Sequence, residues 1–203
     1  MGETLRRLGR MKRLLMVMAV AYLAPMVLGA ILVTADVPGF RDLQIRAQTA
    51  ALQAGPIPTI GRLLGEGRLL PAIALTFAWN FGVAACIGSI GIGVLLPLPP
   101  LIAVLRGFLI GLVFADQLRL TVPHGLLMAG TYLLEIGAYI LAGALGMRLG
   151  FAVLPHRGKA PPVRERMAEF LADLRDLLPV VALLLLLGAI LENAGLFLLG
   201  RFP

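Results

Sequence analysis

The chain has 203 residues, of which 59% are hydrophobic and only 14% are charged. A soluble domain of this length cannot bury so much apolar surface, and about a quarter of its residues would be charged. The composition therefore excludes an ordinary cytosolic enzyme, a disordered chain and a disulfide-rich secreted module, and it indicates a helical integral membrane protein. In this class the formal net charge of +7 points to topology and anionic lipid partners, not to nucleic acid.

The first apolar run, Leu14–Val33, matches the length of about 20 residues that a crossing helix needs. It follows a basic stretch that begins at Arg6, so a signal peptide cleaved near Ala35 is an alternative. Because the apolar part of a signal peptide is usually about 7–15 residues long, we expect a retained crossing helix.

The segment 36–70 is less hydrophobic and is predicted to lie outside the membrane, on the extracytoplasmic side. It has a polar helical stretch, Phe40–Ala54, then a proline and glycine break, then an amphipathic stretch, Thr59–Leu70. An amphipathic helix of this kind lies on the membrane surface or packs against the crossing helices, and the pattern leaves both open.

Four further apolar runs are predicted crossings, at about 72–96, 101–115, 125–147 and 179–199. The largest polar loop, 148–178, is expected on the cytoplasmic side and carries an amphipathic helical pattern over Val163–Leu178. The predicted fold is all-α. It is a single membrane domain over 1–203, a polytopic transmembrane bundle of about five crossing helices plus amphipathic extramembrane or interfacial helices.

The distribution of basic residues orients this bundle. Five crossings place the termini on opposite sides of the membrane. With a cytoplasmic N-terminus, 11 of the 18 Lys and Arg residues lie inside and 6 outside, with Arg106 in the third helix. Because basic residues collect on the cytoplasmic side, we expect the N-terminus in the cytoplasm and the C-terminus outside the cell (inner) membrane.

Small residues recur every four positions in two predicted crossings. Gly107 and Gly111 lie in the third, and Ala142, Gly146 and Gly150 lie in the fourth. Such stripes let helix backbones approach closely, which matters in lipid because burial of apolar surface drives little association there. The stripes indicate either packing within one bundle or the interface of a homo-oligomer.

Three polar side chains are predicted at similar depth in the outer half of the membrane: Asn80, Glu135 and Glu192. Counted from the helix ends at 1.5 Å per residue, they lie roughly 10–15 Å below the outer face. A charge at the centre of a crossing helix costs about 2.5–3.5 kcal/mol, so such residues normally face protein or water. Arg106 is nearer the inner face and meets Glu135 only if the third helix is displaced outward.

These polar residues allow three interpretations. They hydrogen-bond across helices and fix the register of the bundle, with at least one glutamate protonated. They line a polar cavity for an ion, a proton or a small solute. They contact the membrane helix of a partner protein.

The sequence lacks the motifs of the common catalytic and metal centres. HExxH, CxxC, GxxxxGK[ST] and GxSxG are all absent, and the single cysteine, Cys86, lies in an apolar run. His124 at the outer mouth of the fourth helix is interpreted as a loop or capping residue. We therefore expect no enzyme activity, no catalytic residue, no metal site and no cofactor.

The fourth predicted helix resembles the stage II sporulation protein M family. The family has a Glu followed by Ala-Gly-Ala-x-Gly-x-Arg and preceded by a His-Gly pair. The matching residues are Glu135, Ala142, Gly143, Ala144, Gly146, Arg148 and His124-Gly125. Weaker matches are Asn80, Glu192, Gly88–Gly93 and the pair Gly107 and Gly111, so the resemblance covers about 72–200.

In one respect the chain departs from the family pattern. His-Gly usually stands two residues before the Glu, whereas Leu126–Leu134 separate them here. The resemblance therefore supports Glu135 as a site residue more strongly than His124. His124, Arg106 and Arg148 are accessory candidates for the site.

The resemblance implies a non-enzymatic membrane protein that anchors or scaffolds partner membrane or envelope proteins. In spore formers the family member acts with peptidoglycan-degrading partners. The alternative from the residues themselves is a transporter or channel, or a subunit of one, that uses Asn80, Glu135 and Glu192.

Overall fold

The computed structural model describes residues 2–53, 55–96, 98–117, 122–154 and 161–198. All regular elements in these ranges are helices, which confirms the all-α fold class. They are α1 (Gly2–Thr34), α2 (Phe40–Gln53), α3 (Ile57–Gly65), α4 (Leu69–Ala78), α5 (Leu98–Gln117), α6 (Val122–Val153) and α7 (Val163–Leu198). After α4 the chain continues as a π-helix, Trp79–Ile90, and a 3₁₀ turn, Gly91–Val94. We call the whole stretch Leu69–Val94 the α4–π rod.

Four helical stretches are long and apolar enough to cross a membrane, by length and composition. They are Thr4–Thr34, Leu69–Val94, Leu127–Val153 and Val163–Leu198. A fifth, Leu98–Val113 in α5, is apolar but shorter, as the sequence predicted for the third crossing. The polytopic bundle therefore contains four long apolar helical stretches and one short one.

The helices are longer than the apolar runs predicted. α1 begins at Gly2, because the basic stretch before Leu14 consists mainly of strong helix formers such as Leu, Arg and Met. α6 continues past Met147 to Val153. The amphipathic stretch Val163–Leu178 is helical as predicted. It is not a separate helix, because α7 continues from it into the last apolar run without a break. Pro179 lies inside α7, as helices in membranes tolerate proline when neighbours satisfy the freed backbone groups.

The α4–π rod also differs from the regular helix expected over 72–96. From Trp79 the backbone widens to π geometry, and the Ser89 hydroxyl donates to the Ala84 carbonyl five residues earlier, at 2.9 Å. π-helical turns are rare and often mark functional sites. Asn80 lies in the first turn of this π-helix.

Contacts between the helices fix their relative directions. Gly107 and Gly111 in α5 meet Tyr22 and Met26 in α1, so those two helices are parallel. In the same way, the α4–π rod runs parallel to α6. α7 is antiparallel to α6, because its Gly188 lies beside Glu135 and its Gly195 lies beside Leu127. α1 is antiparallel to α6, because Met18 lies beside Gly143 and Tyr22 stacks on Tyr139. The five helical stretches thus alternate in direction along the chain.

The polar segment 36–70 covers one end of the bundle. Gln44 of α2 is fully buried, and its amide donates to the Leu112 carbonyl of α5 at 2.8 Å. The apolar face of α3 packs against the α4–π rod and Leu196 of α7. Of the two alternatives for this amphipathic stretch, the structure shows packing on the long helices.

The core lies around α6 and the first half of α7. Leu145 of α6 is fully buried with Leu177, Val181 and Leu185 of α7, and Tyr22 of α1 joins the same cluster. This part of the bundle is apolar and closely packed.

The stripes of small residues face their neighbours inside this chain. A Cβ atom at Gly146 would collide with the Ser89 carbonyl oxygen, and one at Gly150 with the Gly93 carbonyl oxygen. A Cβ at Gly107 would collide with the Tyr22 carbonyl oxygen, and Ala142 is fully buried. Since these surfaces are covered within one chain, a homo-oligomer would need another surface.

Candidate intramembrane polar site

Asn80 and Glu135 meet across two parallel helices. The Asn80 side-chain amide donates to Glu135 Oε1 at 2.8 Å. Gly188 of α7 leaves room for the carboxyl, because a Cβ atom there would lie 3.1 Å from Glu135 Cγ. The absence of a side chain at Gly188 therefore lets a glutamate fit between three helices.

Glu192 lines the same pocket as this pair. The pocket has a volume of about 310 Å³ and is open on one side. Its lining residues are Ala51, Gly55, Pro56, Ile57, Ile60, Thr76, Trp79, Asn80, Glu135 and Glu192. The structure thus brings together the three residues that the sequence placed at one depth. Among the described residues, Glu192 makes no hydrogen bond or ion pair.

The turn between α2 and α3 forms part of the pocket wall through Gly55 and Pro56. Gly55 in this turn has a φ of 56°, in the left-handed region that glycine adopts at least cost. A Cβ atom on Gly55 would also lie 3.0 Å from Cζ2 of Trp79. Glycine at this position therefore lets the turn rest on the Trp79 ring and roof the pocket.

A second polar pair supports the pocket wall. The amide of Asn193, fully buried in α7, donates to the Thr76 hydroxyl at 3.0 Å and to the Ala189 carbonyl at 2.8 Å. Thr76 was not predicted as a site residue. Its position four residues before Asn80, on the same face of a helix, was the signal available in the sequence.

Arg106 does not join the glutamates. Its guanidinium donates to the Ala84 carbonyl at 3.2 Å and to the Ser89 hydroxyl at 3.3 Å, both in the π-helix. It also lies 5.5 Å from the centre of the Tyr139 ring, within the range of a cation–π contact. The third helix is therefore not displaced towards Glu135, and Arg106 instead holds α5 to the π-helix.

Arg148 lies at the opposite end of the bundle from the pocket. Its guanidinium binds Asp173 at 3.0 Å and Glu169 at 3.3 Å. Asp173, whose side chain is only 4% exposed, also receives Arg7 of α1 at 2.8 Å. We call Arg7, Arg148 and Asp173 the three-helix ion cluster, because it joins α1, α6 and α7.

Sequence reasoning missed Arg7 and Asp173. Phe170, Asp173 and Leu177 share one helical face, and both apolar residues are buried. A charge on the buried face of an amphipathic helix was the signal that could have found Asp173. The predicted role of His124 stays untested, since its side chain lies outside the described residues.

In the part of the chain that the structure describes, no three His, Cys, Asp or Glu side chains are grouped as metal ligands. The pocket instead brings two carboxyl groups, an amide and an indole ring to one space. Its chemistry is hydrogen bonding and attraction of positive charge.

Comparison with known proteins gives one match. The sequence profile described as "Stage II sporulation protein M" matches residues 14–194. No curated protein and no solved structure matches the chain significantly. The match includes every polar residue of the pocket and most of the bundle.

Proposed function

Because the chain belongs to the stage II sporulation protein M family, we propose that it is a non-enzymatic membrane protein that anchors or scaffolds partner proteins. The partners are other membrane or envelope proteins, and the surrounding anionic lipids contact its basic end. This proposal agrees with the closed interior of the bundle.

The observation that carries the proposal is the packing between the pocket and the far end. There the α4–π rod and α6 are in backbone contact at Ser89 and Gly146, and again at Gly93 and Gly150. On the other side of α6, the fully buried Val181 and Leu185 of α7 fill the interior. Closely packed helices thus separate the pocket from the three-helix ion cluster at the far end, which suits a rigid anchor better than a conduit.

The transporter or channel alternative depends on the pocket itself. Glu135 and Glu192 line a space of about 310 Å³ that is open at one end. Transport would require the closely packed half of the bundle to open, and glycines in contact with backbone resist small movements because the contacts have no flexible side chains to rearrange.

We further propose that the protein lies in the cell (inner) membrane with its N-terminus in the cytoplasm. Four basic residues near the start of α1 are exposed: Arg6, Arg10, Lys12 and Arg13. The same end of the bundle carries the three-helix ion cluster. Basic residues at this end favour the cytoplasmic side and the anionic headgroups there.

Site-specific photo-crosslinking in native membranes tests the anchoring function. A photoreactive residue at Val20 or Leu133, which are 61% and 78% exposed, should capture a defined partner in a constant ratio. The same residue at Leu185, which is fully buried, is the matched control and should capture none.

Reconstitution distinguishes the alternative. Proteoliposomes containing the purified chain should show no ion or solute flux above empty liposomes. Flux that Glu135→Gln abolishes, together with no partner captured at either exposed position, would reject the anchor in favour of a transporter.

A further inference from the structure

We propose that the pocket between α3, the α4–π rod, α6 and α7 binds a small organic cation, as an alkylammonium or alkylguanidinium group. This inference does not rest on the anchoring function, because an anchor and a transporter could each hold such a site. On this proposal the polar residues bind a ligand in addition to joining the helices.

The polar atoms that line the pocket are only partly used in hydrogen bonds within the chain. Asn80 uses an amide hydrogen on Glu135 Oε1, and Thr76 accepts from Asn193. Glu135 keeps one oxygen and Glu192 keeps two without a hydrogen-bond donor from the described residues. The pocket therefore offers mainly acceptors, and it selects a ligand that donates hydrogen bonds.

The Glu192 carboxyl is half-buried, lines the pocket and accepts no hydrogen bond from the described residues. Withdrawing an acidic group from water without a hydrogen-bond donor costs free energy. Other bundle carboxylates of this chain are paired, since Asp173 binds Arg7 and Arg148. A cation in the pocket would give Glu192 the partner that the fold leaves out.

The size and lining of the pocket also suit a small organic ligand. Pockets for small molecules are about 300–1,000 Å³ and mostly apolar with a few converging polar groups. This pocket has about 310 Å³, and its apolar lining includes Trp79, Pro56, Ile57 and Ile60. An indole ring attracts organic cations through its π face. Apolar walls suit the alkyl part of such a ligand.

Trp79 supplies a direct measurement, because it is the chain's single tryptophan and lines the pocket. The full chain in nanodiscs of zwitterionic lipid is titrated with n-butylammonium and n-butylguanidinium at fixed salt and pH. We expect a saturable change in Trp79 fluorescence. The neutral analogue n-butanol and the anion butyrate should give no saturable change.

Variants locate the binding. Glu192→Gln and Glu135→Gln should each weaken butylammonium binding at least about tenfold, because the amide keeps the shape but loses the charge. Glu66→Gln is the matched control, since Glu66 is exposed at the end of α3 and does not line the pocket. It should leave the affinity unchanged.

The source of the cation is distinguished by a second ligand pair. Tighter binding of N-acetyl-lysine amide than of butylammonium indicates a side chain of a protein partner, and the reverse indicates a free amine. An equal response to n-butanol and butylammonium would overturn the proposal. So would a folded Glu192→Gln variant that retains its affinity. The comparison of ligands on the unaltered chain needs no variant, so it decides the question even if a variant misfolds.

Discussion

The hydrogen bond between Asn80 and Glu135 is the most specific contact of the intramembrane pocket. It joins two parallel helices at 2.8 Å, and both side chains are partly buried. In membrane proteins a hydrogen bond of this kind contributes modestly to stability, because the same side chains find other partners in the unfolded state. Its main effect is to fix the rotation of the π-helix relative to α6.

A double-mutant cycle measures this contact. Asn80→Ala combined with Glu135→Ala should give a coupling energy of about 0.6–1.7 kcal/mol, from unfolding of the purified protein in mixed micelles. The matched cycle pairs Asn80→Ala with Glu192→Ala and should give a smaller coupling, because these side chains share the pocket without a hydrogen bond. Equal couplings in the two cycles would contradict the geometry.

The three-helix ion cluster supports a second prediction. Asp173→Ala removes one carboxylate partner of the buried Arg7 and one of Arg148, and it leaves Arg7 with Asp176 and Arg148 with Glu169. It should lower the free energy of unfolding by about 1.5–3 kcal/mol, the usual range for a hydrogen bond to a charged group. Glu169→Ala is the control, since that side chain is 63% exposed and pairs with Arg148 at 3.3 Å. An exposed pair contributes about 0.2–1 kcal/mol. The prediction fails if chemical unfolding shows equal losses for the two variants.

At the scale of elements, the close approach of α6 to the α4–π rod predicts unequal effects of adding one methyl group. Gly146→Ala places a Cβ atom against the Ser89 carbonyl, which is backbone and cannot rotate away. We expect destabilisation of about 1–3 kcal/mol. Gly137→Ala lies in the same helix with open space around it and should be neutral or stabilising. Thermal unfolding of both variants in one detergent makes the comparison, and similar melting temperatures would refute the close contact.

The crossing elements were predictable because an apolar run of sufficient length has few alternatives in a membrane. Their ends were not, because helix-forming polar residues extend α1 and α7 beyond the apolar runs. The continuity of α7 through Pro179 depends on neighbouring helices, which the local sequence does not describe. The π-helix likewise has a contact that is distant in the sequence, because Arg106 of α5 donates to its Ala84 carbonyl.

For the candidate site, the sequence predicted only the depth of the polar residues in the membrane. Counting residues from helix ends placed Asn80, Glu135 and Glu192 at one level, since the rise per residue is constant. Which faces of the helices meet depends on packing, and here it depends on Gly188 and Gly55, whose missing side chains make room. Trp79 could not be assigned to the pocket from the sequence, because an apolar residue is ordinary in a crossing helix, and only its spacing from Asn80 pointed to Thr76.

At the scale of the whole molecule, the two ends of the bundle differ in charge and in cover. One end carries the three-helix ion cluster and the exposed basic residues of α1. The other carries the acidic pocket under α2 and α3. With the basic end in the cytoplasm, the pocket lies in the half of the bundle nearer the outside of the cell membrane.

Reporter fusions test this orientation. A reporter that is active only in the cytoplasm should be inactive when it is fused after the C-terminus and active when it is fused before Gly2. A cytoplasmic signal from the C-terminal fusion would contradict five alternating helical stretches with an inward N-terminus. The matched control fuses the same reporter into the polar segment after α6, where it should be active.

The three-helix ion cluster also has a consequence for biogenesis. Arg7 is synthesised first, Arg148 much later and Asp173 last, on the final helix. Until that helix is inserted, neither arginine has the carboxylate that neutralises it in the finished protein, so the earlier helices cannot reach their final arrangement. Closure of the bundle therefore waits for α7, and a chain truncated before α7 should remain a substrate for membrane quality control.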